Sequence, residues 1–173
     1  MDCPGLTPLF PLLPPIKGLK TYYWADFLED DNLPENQTIL VIGGGLIGVE
    51  MASKLTDLNN QVIIVEMFGE IARGMEMLER KLTLQKLKQK NIPIHLNTKV
   101  LEVDGSDVTI EKIGQKSILE NIDKIIMATG MKSVDELKNQ LAGKLPIHII
   151  GDAEKPGKAQ EAIGGAYHLA LEI

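Results

Sequence analysis

The feature that most constrains this chain is a run of glycines directly after a short apolar segment. The segment is Ile39-Leu40-Val41-Ile42, and Gly43-Gly44-Gly45-Leu46-Ile47-Gly48 follows it. Four apolar residues in succession, mostly branched at Cβ, are typical of a parallel strand buried on both faces. Apolar residues then recur at helical spacing over 46–58, and residues 61–65 are again short and branched. The pattern predicts a strand–glycine loop–helix–strand unit of the size of one βαβ crossover.

Gly43, Gly45 and Gly48 have the spacing G-x-G-x-x-G, in which each glycine has its own physical reason. The first allows a tight turn, the second allows backbone to approach a pyrophosphate, and the third lets helix and strand pack closely. The helix that starts there directs free N–H groups and the positive end of its dipole towards the phosphates. We therefore predict a dinucleotide site, the alternative being a glycine turn that merely joins strand to helix.

Glu66 supports this interpretation, because it ends the second strand 23 residues after Gly43. A carboxylate at that place accepts hydrogen bonds from the adenosine ribose hydroxyls. It would repel a 2′-phosphate, and no arginine adjoins it, since Arg73 lies seven residues further on. We predict NAD(H) rather than NADP(H), the alternative being a solvated acid at a strand end.

The rest of the chain predicts further elements of both kinds. Prolines keep residues 4–15 extended. Glycine and Asp-Gly turns separate three short strands in a predicted antiparallel meander. We predict helices over 20–30, 76–90, 134–141 and from about 159 to the end, strands over 94–96, 124–127 and 147–150, and meander strands over 99–103, 107–112 and 115–119.

Charge and cysteine content disfavour several classes of function. A net charge of −6 and a pI near 5.1 argue against nucleic-acid phosphates and anionic lipid as partners. Cys3 is the single cysteine, which excludes a disulfide or a CxxC pair within the chain. No apolar run approaches the roughly 18 residues that a membrane span needs. We expect a soluble, cytoplasmic protein, and the three histidines show no metal-ligand spacing.

With these residues in view, the chain resembles the pyridine-nucleotide domain of two-dinucleotide flavoproteins. Residues 43–50 are similar to the GGGxIGxE form of the fingerprint, and the meander before Ala128-Thr129-Gly130 is similar to the family's crossover and ATG turn. Within that superfamily the chain most resembles the C-terminal part of 2,4-dienoyl-CoA reductase and old-yellow-enzyme-like NADH oxidases. The residues that carry this narrower resemblance are Pro14-Pro15-Ile16-Lys17-Gly18, Val65-Glu66-Met67, Ile150-Gly151-Asp152, Pro156 and Ala162-Ile163.

The resemblance implies that NAD(P)H binds in a domain inserted within an FAD domain and passes hydride to the flavin. Asp152 matches the aspartate that binds the ribityl chain of FAD, the alternative being a turn residue that caps the last helix. Glu50 matches the glutamate near the nicotinamide, the alternative being an exposed helix acid. The expected cofactor-binding residues are Gly43, Gly44, Gly45, Leu46, Ile47, Gly48, Glu50, Glu66, Met67, Ala128, Thr129, Gly130, Gly151 and Asp152.

Several features depart from that family pattern. The chain has one glycine fingerprint, so it lacks the FAD fingerprint, and it also lacks the barrel for FMN and the cysteines for an iron–sulfur cluster. Met131-Lys132-Ser133 stands where many relatives have arginine and proline, and Ala166 stands where the subgroup usually has glycine. We therefore expect the isolated chain to be inactive without the FAD and FMN portions of its parent.

The predicted fold class is α/β: a Rossmann-like three-layer domain with a parallel sheet and a β-meander crossover, plus remnants of a split FAD-binding domain. The predicted divisions are 1–36 as lead-in and short helix, 37–131 as the NAD(H)-binding domain, and 132–173 as the FAD-domain remnant. The predicted function is NADH binding in a parent that transfers hydride to FAD, and a homo-oligomer is among the expected partners. The alternatives are a disulfide-reductase-like or ferredoxin-reductase-like parent, and a non-catalytic nucleotide-binding module.

Overall fold

The computed structural model describes residues 6–8, 16–19, 21–29, 33–141 and 143–173. The chain divides into two compact units. The larger unit comprises residues 10–129, and the smaller unit combines residues 1–9 with residues 130–173. The predicted divisions after residues 36 and 131 concern the domains of a parent protein, and they remain a prediction.

Strands and helices alternate over residues 21–95, and strands follow one another directly over residues 94–133. In chain order the elements are β1 (Leu6–Pro8), β2 (Ile16–Lys17), β3 (Thr21–Tyr23), α1 (Trp24–Glu29), β4 (Thr38–Ile42), α2 (Leu46–Thr56), β5 (Gln61–Val65), α3 (Met77–Gln89), β6 (Ile94–His95), β7 (Thr98–Asp104), β8 (Asp107–Lys112), β9 (Gln115–Leu119), β10 (Lys124–Met127), β11 (Met131–Ser133), α4 (Glu136–Leu141), a 3₁₀ turn (Gly151–Ala153) and α5 (Ala159–Glu172).

The larger unit contains a parallel sheet with the strand order β3-β10-β4-β5-β6. Successive side chains of a strand point to opposite faces. On β4, Ile39 and Val41 accordingly pack with Val49 and Leu55 of α2, whereas Leu40 packs on the other face with the meander. Both faces are buried, which is why β4 is apolar at every position from Ile39 to Ile42 and does not alternate with polar residues.

The meander β7-β8-β9 forms the layer opposite the helices, and it is antiparallel as predicted. Val103, Val108 and Ile110 pack against the sheet from this side. Gly105 and Gly114 have φ of +58° and +76° at its two turns, a conformation that glycine adopts without steric cost. The layers are therefore helices, parallel sheet and meander, and the predicted Rossmann-like fold class is confirmed.

Two predicted elements are wrong, one of them in part and the other entirely. Residues 21–23 do not open the predicted helix but form β3, which pairs in parallel with β10. Thr21, Tyr22 and Tyr23 are β-branched or aromatic and favour a strand beside the open edge of β10. Residues 147–150 are not a strand, because an extended run becomes a strand only beside a partner, and no described strand pairs with them.

The smaller unit is built from short elements and one long helix. Strand β1 pairs antiparallel with β11, a pairing that the sequence analysis missed. Helix α5 has no buried residue, although Ile163, Tyr167 and Leu171 recur on one face of it. Of the helices in the described residues, none has the length and apolar character needed to cross a membrane.

Candidate functional site

The glycine run forms the turn between β4 and α2 in the larger unit. Gly43 has φ of +108°, and its N–H donates to the Val65 carbonyl at 2.9 Å, which joins the turn to β5. Gly45 is the N-cap of α2, and its carbonyl accepts from Val49 N–H at 3.1 Å. The N–H groups of the first helical turn have no acceptor within the helix. The turn therefore presents backbone donors at the end of the parallel sheet.

The three glycines of the fingerprint differ in what surrounds them. A Cβ on Gly43 would lie 2.3 Å from the Ala128 carbonyl oxygen, and one on Gly48 would lie 1.9 Å from the Gly43 carbonyl oxygen. A Cβ on Gly45 would meet nothing within 4 Å in the described part of the chain. Gly43 and Gly48 are thus required by protein packing, whereas Gly45 borders open space at the start of α2.

Gly44, between them, contacts a segment that sequence reasoning missed. A Cβ on Gly44 would lie 2.3 Å from Cγ2 of Ile71, and the Gly44 carbonyl accepts from Ala72 N–H at 2.6 Å. Ile71 and Ala72 are buried, and Ala72 has φ of +56°. Positive φ is uncommon for a residue other than glycine. The segment after β5 therefore packs tightly on the glycine turn, and its only signal in the sequence was the pair Gly69 and Gly74 that flanks it.

Glu66 follows β5 and is 7% exposed. Its Oε2 accepts from Gly44 N–H at 2.6 Å, and its Oε1 accepts from Phe68 N–H at 2.9 Å. The carboxylate thus joins the glycine turn to the segment after β5, which the sequence analysis did not anticipate. Each carboxylate oxygen has two lone pairs, so both oxygens keep capacity for a further donor. The structure brings Glu66 and the fingerprint together, as a ribose-binding acid requires.

Two exposed side chains follow Glu66 directly. Met67 is 56% exposed and Phe68 is 49% exposed. The guanidinium carbon of Arg73 lies 4.3 Å from the centroid of the Phe68 ring, a cation–π contact. Arg73 is seven residues from Glu66 in sequence, but this contact brings it to the residue whose N–H the Glu66 carboxylate accepts.

The remaining predicted residues fall into two groups. In the larger unit, Glu50 is exposed on α2, and Ala128 and Thr129 follow β10, the strand beside β4. Gly130 has φ of +101° and is the first residue of the C-terminal segment of the smaller unit. In that unit Gly151 and Asp152 lie in the 3₁₀ turn. These positions follow the predicted elements, but their roles remain a prediction.

Asp152 closes a turn in the smaller unit. Its Oδ1 accepts from Gly157 N–H at 3.2 Å. The N-terminus of α5 is capped by another residue, since Lys158 N–H donates to Oε2 of Glu161 at 2.7 Å. The alternative role of Asp152, a turn residue that caps the last helix, therefore agrees with the turn, whereas Glu161 makes the bond at the start of α5.

Two observations concern possible metal ligands and one histidine in the residues that the structure describes. No group of three or more His, Cys, Asp or Glu side chains is placed to hold a metal ion there. His95 is partly buried on β6, and burial together with the positive charge of Lys112 lowers its pKa. A lowered pKa keeps the imidazole neutral at pH 7.

The sheet, the meander and the glycine turn define a Rossmann-like α/β domain. The sequence profile described as pyridine nucleotide-disulphide oxidoreductase matches residues 1–155, and the chain belongs to this family. The family uses FAD and NAD(P)H, the cofactors that the resemblance implied. The chain thus belongs to the flavoprotein oxidoreductases, as the family resemblance implied.

Individual proteins that are similar to this chain are also named as oxidoreductases. The chain is 30% identical to a metal reductase of Desulforamulus reducens over 198 aligned positions and to an NADH oxidase of Thermoanaerobacter brockii over 172. These alignments cover 97% and 94% of the chain but 29% and 26% of the relatives, so the chain spans between a quarter and a third of their length. A 2-naphthoyl-CoA reductase structure has the same fold, with a TM-score of 0.84, 22% identity, and coverage of 98% of this chain and 26% of its own.

Proposed function

We propose that this chain is the NADH-binding part of a flavin-dependent oxidoreductase in which hydride passes from NADH to FAD. The observation that carries the proposal is the open space at Gly45, at the N-terminus of α2. At Gly43 and Gly48 of the same turn, protein atoms occupy the space that a Cβ would need. A turn that only joined strand to helix would have no need of glycine at position 45, where φ is −70° and any residue fits.

The pyrophosphate of NADH fits the space beside Gly45. The N–H groups of residues 46–48 begin α2, and the helix dipole adds positive potential there. No acidic residue lies in the first turn of α2, so nothing in that turn opposes a bound anion. Leu46, Ile47 and Gly48 thus contribute backbone donors, while Gly43 and Gly44 hold the turn in shape through Val65 and Glu66.

The adenosine ribose fits beside Glu66. The two backbone N–H groups bound to the carboxylate fix its orientation before any ligand arrives. Because the carboxylate is already oriented, it loses little further freedom when it binds the ribose diol. Its buried negative charge disfavours a 2′-phosphate at the same place. We therefore propose a preference for NADH over NADPH.

The nicotinamide end is assigned to Glu50 and to Ala128, Thr129 and Gly130. This assignment follows from the family resemblance together with the position of Ala128, whose carbonyl contacts the Gly43 turn. When bound, the cofactors supply the hydride chemistry, and the residues of the chain bind and orient them. Gly151 and Asp152 are assigned to the flavin, for which Oδ2 of Asp152 is the available acceptor beside the bond from Gly157.

The parent enzyme is the finer part of the proposal. The match with the metal reductase and the NADH oxidase extends over at least 94% of the chain, which supports a parent of that kind over a disulfide-reductase-like or ferredoxin-reductase-like one. We propose that it acts in the cytoplasm, that the rest of the parent supplies the FAD and FMN portions, and that the parent forms a homo-oligomer.

Gly45→Val tests the carrying observation. Because the space at Gly45 is open, the variant should keep its circular dichroism spectrum, while its branched side chain blocks the pyrophosphate. We expect NADH affinity, measured by titration calorimetry, to fall at least about tenfold, which corresponds to roughly 1.4 kcal/mol. Gly165→Val is the matched control, since a Cβ there also meets nothing within 4 Å in the described residues. Wild-type NADH affinity in folded Gly45→Val would refute the proposal.

A further inference from the structure

Strand β9 lies at one edge of the meander, and among the described strands only β8 pairs with it. It has five residues, whereas the other edge strands in the described part of the chain have two or three. An edge strand presents a row of backbone N–H and C=O groups with which a further strand can pair, and short edge strands avoid such pairing. Of the described edges, β9 therefore offers the longest row.

The backbone groups of β9 that face away from β8 belong to alternate residues. Ile113 and Gly114, with φ of +51° and +76°, form a two-residue turn of the type that joins antiparallel strands. Gln115 follows this turn and forms a hydrogen-bonded pair with β8, and such pairs alternate along an antiparallel ladder. The N–H and C=O groups of Lys116 and Ile118 therefore point away from β8, towards the free side of the strand.

Three side chains follow one another along the outer face of this edge. Ile118 is 59% exposed and lies opposite Thr109, on the face of the meander turned away from the parallel sheet. Lys116 precedes it by two residues, Glu120 follows it by two residues, and both are exposed. Because residues i and i+2 of an extended chain share a face, the edge carries a positive charge, an apolar side chain and a negative charge in that order.

We propose that two copies of the chain pair antiparallel along β9, with the two Ile118 residues opposite each other on a two-fold axis. The proposal rests on the homo-oligomer proposed above and names the surface through which its copies meet. An axis at Ile118 brings Lys116 opposite Glu120 of the partner subunit, and the same contact repeats on the other side of the axis. Opposite charges directly across a strand pair are favourable, as is the apolar contact at the centre.

The order of the three side chains selects this register. An axis at Ser117 would place Lys116 opposite Ile118 of the partner subunit. An axis at Leu119 would place Ile118 opposite Glu120 of the partner subunit. Either shift sets a charge against an apolar side chain and loses both ion pairs. A lone lysine on an edge strand opposes pairing, but the axis at Ile118 gives this lysine an acid as its partner.

Charge reversal tests the pairing, measured by sedimentation equilibrium of the full chain. The wild type should reach twice the 19.0 kDa of one chain. Glu120→Lys sets two lysines opposite each other on both sides of the axis, so the dimer dissociation constant should rise at least about tenfold. The double variant Lys116→Glu/Glu120→Lys restores opposite charges and should recover the wild-type constant. Glu79→Lys changes the net charge equally at an exposed site on α3, and this matched control should leave the constant unchanged.

A disulfide at the axis tests the geometry without a change of charge. Residues opposite each other in a hydrogen-bonded antiparallel pair have Cα atoms about 5.5 Å apart, within the span of a disulfide. In a Cys3→Ser background, which removes the single cysteine of the chain, Ile118→Cys should form an interchain disulfide with oxidised glutathione. Ile113→Cys is the matched control, because residue 113 is 84% exposed but lies at opposite ends of the paired strands. It should give no dimer on a non-reducing gel.

Several results would overturn the proposal. They are a wild type that stays monomeric up to about 1 mM, a dimer that Glu120→Lys leaves intact, and crosslinking of Ile113→Cys as fast as Ile118→Cys. Weakening by Glu120→Lys without recovery in the double variant would overturn the register. If Glu120→Lys loses its circular dichroism spectrum, the disulfide experiment decides alone. Calorimetry with NADH on the folded variant separates the interface from the nucleotide site, because unchanged NADH affinity leaves the proposed function standing.

Discussion

The two units of the chain differ most in how their apolar residues are used. In the larger unit β4 is buried on both faces, between α2 and the meander. In the smaller unit the longest helix, α5, has no buried residue, and Ile163 and Leu171 are each 70% exposed. The larger unit thus has a closed core of its own, whereas α5 presents an apolar face whose burial is not completed within the part of the chain that the structure describes.

The glycines at positions 43, 44 and 48 of the nucleotide turn differ in a similar way from the glycines of α5. In the larger unit Gly43, Gly44 and Gly48 each face another atom closer than 2.5 Å from an added Cβ. In α5, Gly164 and Gly165 face nothing within 4 Å in the described residues. Close contacts around a glycine mark a position whose shape is already determined. We infer that the nucleotide turn is preformed, while the surface of α5 is tolerant of change.

The largest effect that we expect comes from two identical substitutions in one turn. Gly48→Ala places its Cβ against the Gly43 carbonyl, so backbone must move, and the cost should reach at least about 3 kcal/mol, the upper range for overpacking. Gly45→Ala meets open space and loses only glycine's slight advantage at an N-cap, so its cost should stay below about 1 kcal/mol. Urea denaturation of both variants measures the difference, and equal free energies of unfolding would contradict a preformed turn.

A second pair of substitutions compares the units directly. Leu55 is fully buried in the larger core, so Leu55→Ala should cost about 2–5 kcal/mol through lost burial and a cavity. Leu171→Ala on the exposed face of α5 should change the free energy of unfolding by less than about 0.5 kcal/mol. Thermal and urea unfolding report both values. If Leu171→Ala cost as much as Leu55→Ala, the face of α5 would be covered in solution and the contrast between the units would be lost.

A substitution at Glu66 tests whether the preformed turn of the larger unit selects NADH over NADPH. Glu66→Gln keeps an oxygen for one backbone donor but removes the charge, so we expect NADH to lose about 1.5–3 kcal/mol of binding free energy. NADPH should lose less, because the repulsion of its 2′-phosphate disappears with the charge. Calorimetric titration of wild type and variant with both nucleotides measures this change. Equal wild-type affinities for NADH and NADPH would refute the role given to the carboxylate.

The effect of pH is the smallest that we expect. A hydrogen bond from Lys90 is the main cause that lowers the pKa of Asp57 from its ordinary value of 3.8, and the charge of Lys86 adds to it. A lowered folded-state pKa stabilises the fold above the unfolded value, and this contribution is lost as pH falls through the folded value. Asp57→Asn should therefore flatten the fall in stability below about pH 4. An unchanged acid profile would show that the pair contributes nothing, as many exposed ion pairs do.

The sequence predicted the elements whose physical cause is local. Helix α2, strand β10 and the meander lie within a few residues of their predicted bounds, because helical periodicity, branched runs and glycine turns act over short distances. Strand β3 and the pairing of β1 with β11 were missed, since a two- or three-residue strand is defined by its partner more than by its own residues. Residues 147–150 were predicted as a strand from their own apolar residues, but they have no partner strand and form none.

The candidate site was predictable to the same extent. The fingerprint and Glu66 came from spacing, and the structure brings them together. The packing of Ile71 on Gly44, the hydrogen bond from Arg80 to the Ile71 carbonyl and the stack of Arg73 on Phe68 were missed, because they join residues whose separation in sequence carries no period. Contacts of this kind depend on the path of one loop, and no local pattern encodes that path.

The most direct test of the account is the ligand content of one purified preparation of the chain. The account holds that the larger unit binds a nicotinamide nucleotide by itself, and that Asp152 alone, at about 0.5–1.5 kcal/mol for each neutral hydrogen bond, cannot offset the cost of ordering FAD. The visible spectrum should therefore show no bound flavin, and calorimetry on the same sample should show about one NADH per chain with little NADH oxidation on adding FAD. A yellow protein with about one flavin per chain and steady NADH turnover, or a chain that binds no NADH, would contradict it.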